Sequence, residues 1–155
     1  MKNCKICLNA MVGNEERVIK RMLESSYKYI DYWVIQCNGT DKTQSIIEEF
    51  YKEKKIPGFT YNHEWDYPGI NRDHTLQTAL KSNHGCDWIL RMDADEQLEV
   101  DDDFDWTILD HKDIESFNVT ATGAGSIYFR TWLWNANIPW RFEHDRRHEC
   151  VYICL

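Results

Sequence analysis

The chain has 155 residues, 43% hydrophobic and 28% charged, and its 18 basic and 26 acidic side chains give a net charge of −8. This length fits one domain with an apolar core, and 7 Trp, 8 Tyr and 6 Phe exclude an intrinsically disordered chain. The acidic balance argues against nucleic acid and anionic membranes as partners, because both attract clustered Lys and Arg.

The N-terminal residues lead directly into a short apolar segment, residues 5–9, which predicts the first strand. The sequence shows no signal peptide, and no apolar run approaches the roughly 20 residues of a membrane-spanning helix. The chain has 6 cysteines and lacks a secretion signal, which favours reduced thiols. We therefore expect a cytoplasmic protein with no transmembrane segment.

Extended and helical patterns alternate along the first hundred residues. We expect Asn14 to cap a helix in which apolar side chains recur at helical spacing, and the same spacing returns in residues 46–51 and 72–81. Aromatic and β-branched residues predict further strands at 32–36, 59–61 and 87–92, the last of them central. This alternation predicts a mostly parallel, Rossmann-like α/β sheet flanked by helices, with ligands beyond the carboxyl ends of its strands.

The pattern changes after residue 100. Segments 116–120, 126–134 and 148–154 resemble strands, with no helical pattern between them. This predicts a mixed or antiparallel C-terminal part of the same domain, residues 1–155. The final apolar strand stops abruptly, which is typical of either a truncated or a minimal domain.

Three carboxylates, those of Asp93, Asp95 and Glu96, follow directly after the apolar strand at 87–92. Like charges at such a spacing repel one another unless water or a cation screens them. Carboxylate oxygens suit a hard divalent ion, Mg²⁺ or Mn²⁺, which can also bind a diphosphate. In extended geometry Asp93 and Asp95 point to the same side. The alternative is an ordinary solvated acidic loop.

Several segments, taken in order, resemble the GT-A glycosyltransferases of family 2. Residues 87–96 resemble the strand that precedes the DxD motif, here in its DADE version. The other similar segments are residues 6–16 (opening strand and KNE turn), 31–43 (second strand and GSTDGT loop), Asn71-Arg72-Asp73 (the aRN helix) and Arg147-His148-Glu149 (a late vHE element). The similarity is good over residues 5–99 and weaker beyond.

The resemblance implies a GT-A nucleotide-sugar-binding domain with a donor-binding half, residues 1–99, and a partial acceptor-side half, residues 100–155. It implies sugar transfer from a nucleotide diphosphate to a hydroxyl of a glycan, a protein or a lipid-linked acceptor, with inversion. We expect Mn²⁺ or Mg²⁺ as the metal and a UDP-sugar in preference to a GDP-sugar. The alternative is a degenerate or truncated domain that binds nucleotide or glycan without catalysis.

The resemblance also implies roles for individual residues. Asp95 coordinates the metal and serves catalysis, Asp93 contacts the metal or the donor ribose, and His148 completes the metal shell. Glu149 is a candidate for the base that takes the acceptor proton, with Glu143 as a second candidate; the usual base of the family lies farther from the DxD motif. The residues expected to bind the donor are Asn9, Ala10, Cys37, Arg72, Asp93 and Ala94.

The sequence departs from the family pattern in two places. Gln36 and Cys37 stand where the family usually has an Asp that contacts the base of the nucleotide. Asp73 replaces the Asn of the aRN helix and is expected to add a negative charge near the site. Three tryptophans of the C-terminal part allow either a sugar-stacking platform or core packing: Trp132, Trp134 and Trp140.

Overall fold

The computed structural model describes residues 2–123, 125–142 and 151–153. The strands are β1 (Ile6–Val12), β2 (Tyr32–Cys37), β3 (Gly58–Tyr61), β4 (Trp88–Arg91), β5 (Ser116–Gly123), β6 (Ser126–Asn135), β7 (Trp140–Phe142) and β8 (Val151–Ile153). The helices are α1 (Ile19–Ser26), α2 (Thr43–Lys54) and α3 (Pro68–Ser82), and a short 3-10 helix spans Trp106–Asp110. None of the helices in these residues has the length and apolar character that a membrane crossing requires.

The main sheet has six strands in the order β3-β2-β1-β4-β6-β5. Strands β1 to β4 are mutually parallel, whereas β6 pairs antiparallel with both β4 and β5. The prediction of a mostly parallel α/β sheet with an antiparallel C-terminal part is confirmed. The chain first moves outward from β1 to β3 and then crosses back to β4, so the strand order reverses between β1 and β4. Ligands of such sheets bind at this switch point, beyond the carboxyl ends of the strands.

Apolar side chains cover both faces of the sheet, as parallel strands require. On one face, α1 and α2 contribute buried residues such as Leu23 and Ile47. On the other face, α3 packs Leu76 against a cluster that also holds Trp134. On this second face, α3 packs against β1 and β2 and contacts β7.

Two helices begin at residues other than those predicted. Asn14 does not cap α1, because residues 15–18 first form a turn in which the amides of Val18 and Ile19 both donate to the carbonyl of Glu15. Helix α3 begins at Pro68, four residues before Arg72. Proline fits the first helical position because its ring presets the helical φ angle and it has no amide to leave unpaired. Arg72 therefore lies in the second turn of α3.

Candidate functional site

The loops that follow β1 and β2 meet at the carboxyl edge of the sheet. The side-chain oxygen of Asn14 accepts hydrogen bonds from the amides of Thr40, at 2.7 Å, and Asp41, at 3.2 Å. In return, the hydroxyl oxygen of Thr43 accepts a hydrogen bond of 2.8 Å from the amide of Glu15. The predicted turn at residues 38–41 is thus fixed against the first strand, at the edge where the sequence places the site.

The acidic segment after β4 forms a closed turn between Asp93 and Glu96. The amide of Asp93 donates to the Glu96 carboxylate at 2.7 Å, and the amide of Glu96 donates to the Asp93 carbonyl at 3.1 Å. Burial raises the pKa of Glu96, which is half-buried. Ala94 is buried, while Asp95 is exposed at the end of the turn. Glu96 therefore holds the backbone that presents the two aspartates.

Two arginines lie beside Asp93. The Nη2 atom of Arg91, the last residue of β4, is 2.8 Å from Asp93 Oδ1, and the Arg91 side chain is 11% exposed. Arg72, on α3, is close enough to feel the charge of Asp93. Burial, together with the charges of Arg91 and Arg130, lowers the pKa of Arg72 to about 10, and the charges of Asp93 and Glu96 oppose this shift. The turn is consequently a mixed cluster of carboxylates and guanidinium groups.

The oxygen atoms of this turn suit a divalent ion that binds together with the phosphates of a substrate. Within residues 2–123, 125–142 and 151–153, no group of three His, Cys, Asp or Glu side chains is arranged to hold a metal. Mg²⁺ does not need such a group, because it is commonly held by one or two carboxylates together with substrate phosphates and water. Exposed Asp95 and the second carboxylate oxygen of Asp93 are the candidates for that donor set.

Three of the predicted donor-binding residues are buried in strands β1 and β2. Asn9 is buried in β1, and its side-chain amide donates to the carbonyls of Val34, at 3.1 Å, and Thr75, at 3.2 Å. Ala10 and Cys37 are buried among the apolar residues that face α1 and α2. All three side chains support the strands that carry the site, and direct contact with a donor stays a prediction for each.

Gln36, at the position where the family usually has a base-contacting Asp, is completely buried. Its side-chain nitrogen donates to Asn71 Oδ1 at 3.2 Å, and its oxygen accepts hydrogen bonds from Thr75, at 2.7 Å, and Tyr61, at 3.3 Å. This network connects β2, β3 and α3. Gln36 is therefore a packing residue of the sheet, and its side chain has no surface to offer a nucleotide.

Asp73 does not add its charge to the turn. Its carboxylate accepts a hydrogen bond of 2.9 Å from the amide of Phe142 and lies 3.0 Å from Nη1 of Arg141, both in β7. The expectation that Asp73 lies near the acidic site is wrong, since consecutive residues of a helix point in different directions. Asp73 joins α3 to the small β7–β8 sheet.

The three C-terminal tryptophans separate into two groups. Trp134 and Trp140 are buried in the core beneath α3, with their ring centroids 6.4 Å apart. Trp132 is half-buried, and its ring centroid lies 5.8 Å from the guanidinium carbon of Arg91. Only Trp132 thus keeps a position from which it can face a substrate.

Three residues of the predicted catalytic set lie outside the described residues: His148, Glu149 and Glu143. Sequence reasoning also passed over Arg91 and Arg130. Arg91 carries a detectable signal, since it is a charged residue inside an apolar strand, two positions before Asp93. Arg130 carries no such local signal, because β6 brings it to the site from 37 residues further along the chain (130 − 93).

The chain is similar to known proteins over part of its length. One solved structure with a similar fold is a mannosyltransferase, PcManGT from Pyrobaculum calidifontis, in complex with GDP-Man and Mn²⁺; the identity is 21% and the TM-score 0.49. The similarity covers 63% of this chain and 29% of that chain. No curated protein matches the sequence. Residues 11–106, more than half of the chain, match the family described as Glycosyl transferase family 2. The chain therefore belongs to glycosyl transferase family 2, as its motifs suggest.

Proposed function

We propose that this chain is a metal-dependent glycosyltransferase that takes its sugar from a nucleotide-diphosphate donor. The observation that carries the proposal is the position of the Asp93–Glu96 turn, which follows β4 at the point where the strand order reverses. This is where doubly wound sheets bind nucleotides. Two guanidinium groups beside the turn, those of Arg72 and Arg91, suit a diphosphate, because guanidinium binds phosphate oxygens in pairs.

Each residue of the turn has a proposed part. Asp95 and Asp93 would hold Mg²⁺ or Mn²⁺, and the backbone of Ala94, whose side chain is buried, lies between them and would face the donor. The bound ion would neutralise the diphosphate and stabilise the departing nucleotide. Arg72 binds the donor phosphates, while Arg91 orients the Asp93 carboxylate through their 2.8 Å contact.

The acceptor side of the proposal relies on the family. An acceptor hydroxyl of a glycan, a protein or a lipid-linked sugar attacks the anomeric carbon, with inversion, as is typical of family 2. This step needs a carboxylate base, for which Glu149 and Glu143 are the candidates. We assign residues 1–99 to the donor and residues 100–155 to the acceptor side. A UDP-sugar is proposed in preference to a GDP-sugar.

The test is nucleotide release from a set of UDP- and GDP-sugars, with Mn²⁺ or Mg²⁺ and with EDTA, in the presence of simple glycan acceptors. We expect metal-dependent release with one donor base, and its loss in Asp95→Asn. Asp103→Asn, which removes a carboxylate from the exposed run at residues 101–103, is the matched control and should behave as wild type. Metal-dependent nucleotide binding without release from any donor would instead identify a binding domain without turnover.

A further inference from the structure

Arg130 extends the charged cluster from the acidic turn onto β6. Its guanidinium carbon lies 4.9 Å from the ring centroid of Tyr128 and 4.9 Å from that of Trp132. The ring of Trp132 also lies 5.8 Å from the guanidinium carbon of Arg91, which contacts Asp93. A continuous series of contacts therefore runs from the turn to Arg130. Alternate residues of a strand share one face, which places the Arg130, Tyr128 and Trp132 side chains together.

Arg130 adds its positive charge to a cluster that holds charges of both signs. Among the described residues, its guanidinium has no Asp or Glu within ion-pair distance, and the charges around it include those of Arg72, Arg91 and Glu96. Arg130 is thus a third guanidinium near the half-buried carboxylates Asp93 and Glu96, and guanidinium groups bind phosphate oxygens in pairs.

We propose that Arg130 is a further donor-binding residue, whose guanidinium binds phosphate oxygens of the nucleotide diphosphate next to the Asp93–Glu96 turn. This rests on the proposed function. The residue lies outside residues 11–106, which match the family, so the family pattern does not assign it. Contact with the Tyr128 and Trp132 rings limits the motion of the guanidinium, and a guanidinium presents its N–H groups in a planar fork that fits phosphate.

A consequence of this arrangement is that part of the diphosphate affinity does not depend on metal. The test measures binding of UDP and GDP by isothermal titration calorimetry, with Mn²⁺ and with EDTA, for wild type, Arg130→Gln and Arg130→Lys. Arg21→Gln is the matched control, because Arg21 is exposed on α1. Uridine and guanosine, which lack phosphates, serve as control ligands.

We expect Arg130→Gln to weaken binding of the preferred nucleotide about tenfold or more, under both metal conditions, since hydrogen bonds to charged groups are lost. Arg130→Lys keeps the charge without the fork and should restore part of the affinity. Binding of the nucleoside should not change, and Arg21→Gln should bind as wild type.

An affinity of Arg130→Gln within twofold of wild type would overturn the role of Arg130 and leave the proposed function intact. If wild type binds neither nucleotide, both the role of Arg130 and the proposed function are wrong. If Arg130→Gln does not fold, Arg130→Lys decides: an affinity equal to wild type, under both metal conditions, would equally overturn the assignment.

Discussion

The side-chain oxygen of Asn14 accepts a 2.7 Å hydrogen bond from the amide of Thr40, and this contact joins the loop after β1 to the loop after β2. The two loops approach so closely that a Cβ atom on Gly39 would lie 2.3 Å from the carbonyl oxygen of Gly13. Glycine at position 39 is therefore required by close approach of the backbone, at the same edge of the sheet as the Asp93–Glu96 turn.

Gly39→Ala should destabilise the protein by about 1–3 kcal/mol, the usual cost of forcing an extra carbon into a packed place. The clash is with backbone atoms, so the two loops must separate, and nucleotide binding should weaken as well. Urea unfolding and nucleotide titration measure the two effects. Gly13→Ala is the matched control, since a Cβ there meets no atom within 4 Å. Equal stability of the two variants would show that the loops are not held as described.

Asp95→Asn should remove the effect of Mn²⁺ on nucleotide affinity and change the free energy of unfolding by no more than about 0.5 kcal/mol, as is usual for an exposed side chain. Asp93→Asn should also lower the free energy of unfolding, because it breaks the 2.8 Å contact with the mostly buried Arg91. Calorimetric titration and chemical denaturation separate these effects. Unfolding of Asp95→Asn, or unchanged metal-dependent binding, would contradict the assignment.

Gln36→Leu should lower the free energy of unfolding by about 1–3 kcal/mol, because the buried polar groups of Asn71, Thr75 and Tyr61 lose a partner. The control is Gln44→Leu on the exposed side of α2. Because Gln36 has no exposed surface, the ratio of UDP to GDP affinity should not change in the folded fraction. A changed ratio would show that Gln36 contacts the base after all.

His74 makes stability depend on pH. Its ring is stacked on that of His63, with centroids 3.5 Å apart, and Tyr61 lies 3.3 Å from its Nδ1. Burial lowers the pKa of His74 first, and the nearby charges of His63 and Lys81 lower it further, whereas Asp73 opposes this shift. A lowered pKa means that the unfolded chain binds the proton more readily than the folded one.

The contribution of His74 to stability is therefore complete above its unfolded pKa of about 6.5, and falls as the pH drops towards the lower folded value. We expect the free energy of unfolding to decrease between pH 7 and pH 5, and to decrease less in His74→Gln. Urea unfolding over this range gives the comparison, with exposed His111→Gln as control. Identical pH profiles for wild type and His74→Gln would contradict the prediction.

Local patterns predicted the sheet and the position of the acidic turn. Apolar strands and their turn residues are contiguous in sequence, so the end of β4 and the carboxylates of Asp93 and Asp95 could be placed without a structure. The cap expected at Asn14 was wrong for a tertiary reason: its side chain bonds Thr40 and Asp41 in another loop. Local propensity does not contain that contact.

The start of α3 and the neighbours of Asp93 show the same difference between local signals, which the sequence contains, and tertiary contacts, which it does not. Pro68 is a local signal that could have placed the helix start correctly. The contact between Arg91 and Trp132 depends on the antiparallel pairing of β4 with β6, which joins residues about 40 positions apart in sequence. Neither propensity nor periodicity encodes such a pairing, so the aromatic and cationic side of the site emerged only from the fold.

The central claim is that the Asp93–Glu96 turn binds a nucleotide diphosphate together with a divalent ion. The most direct test is calorimetric titration of the wild-type protein with UDP and with GDP, first with Mn²⁺ and then with EDTA. The account predicts saturable binding of at least one nucleotide, markedly tighter with Mn²⁺, and weaker but measurable binding in EDTA. No binding of either nucleotide to the folded protein, or an affinity that Mn²⁺ does not change, would contradict it.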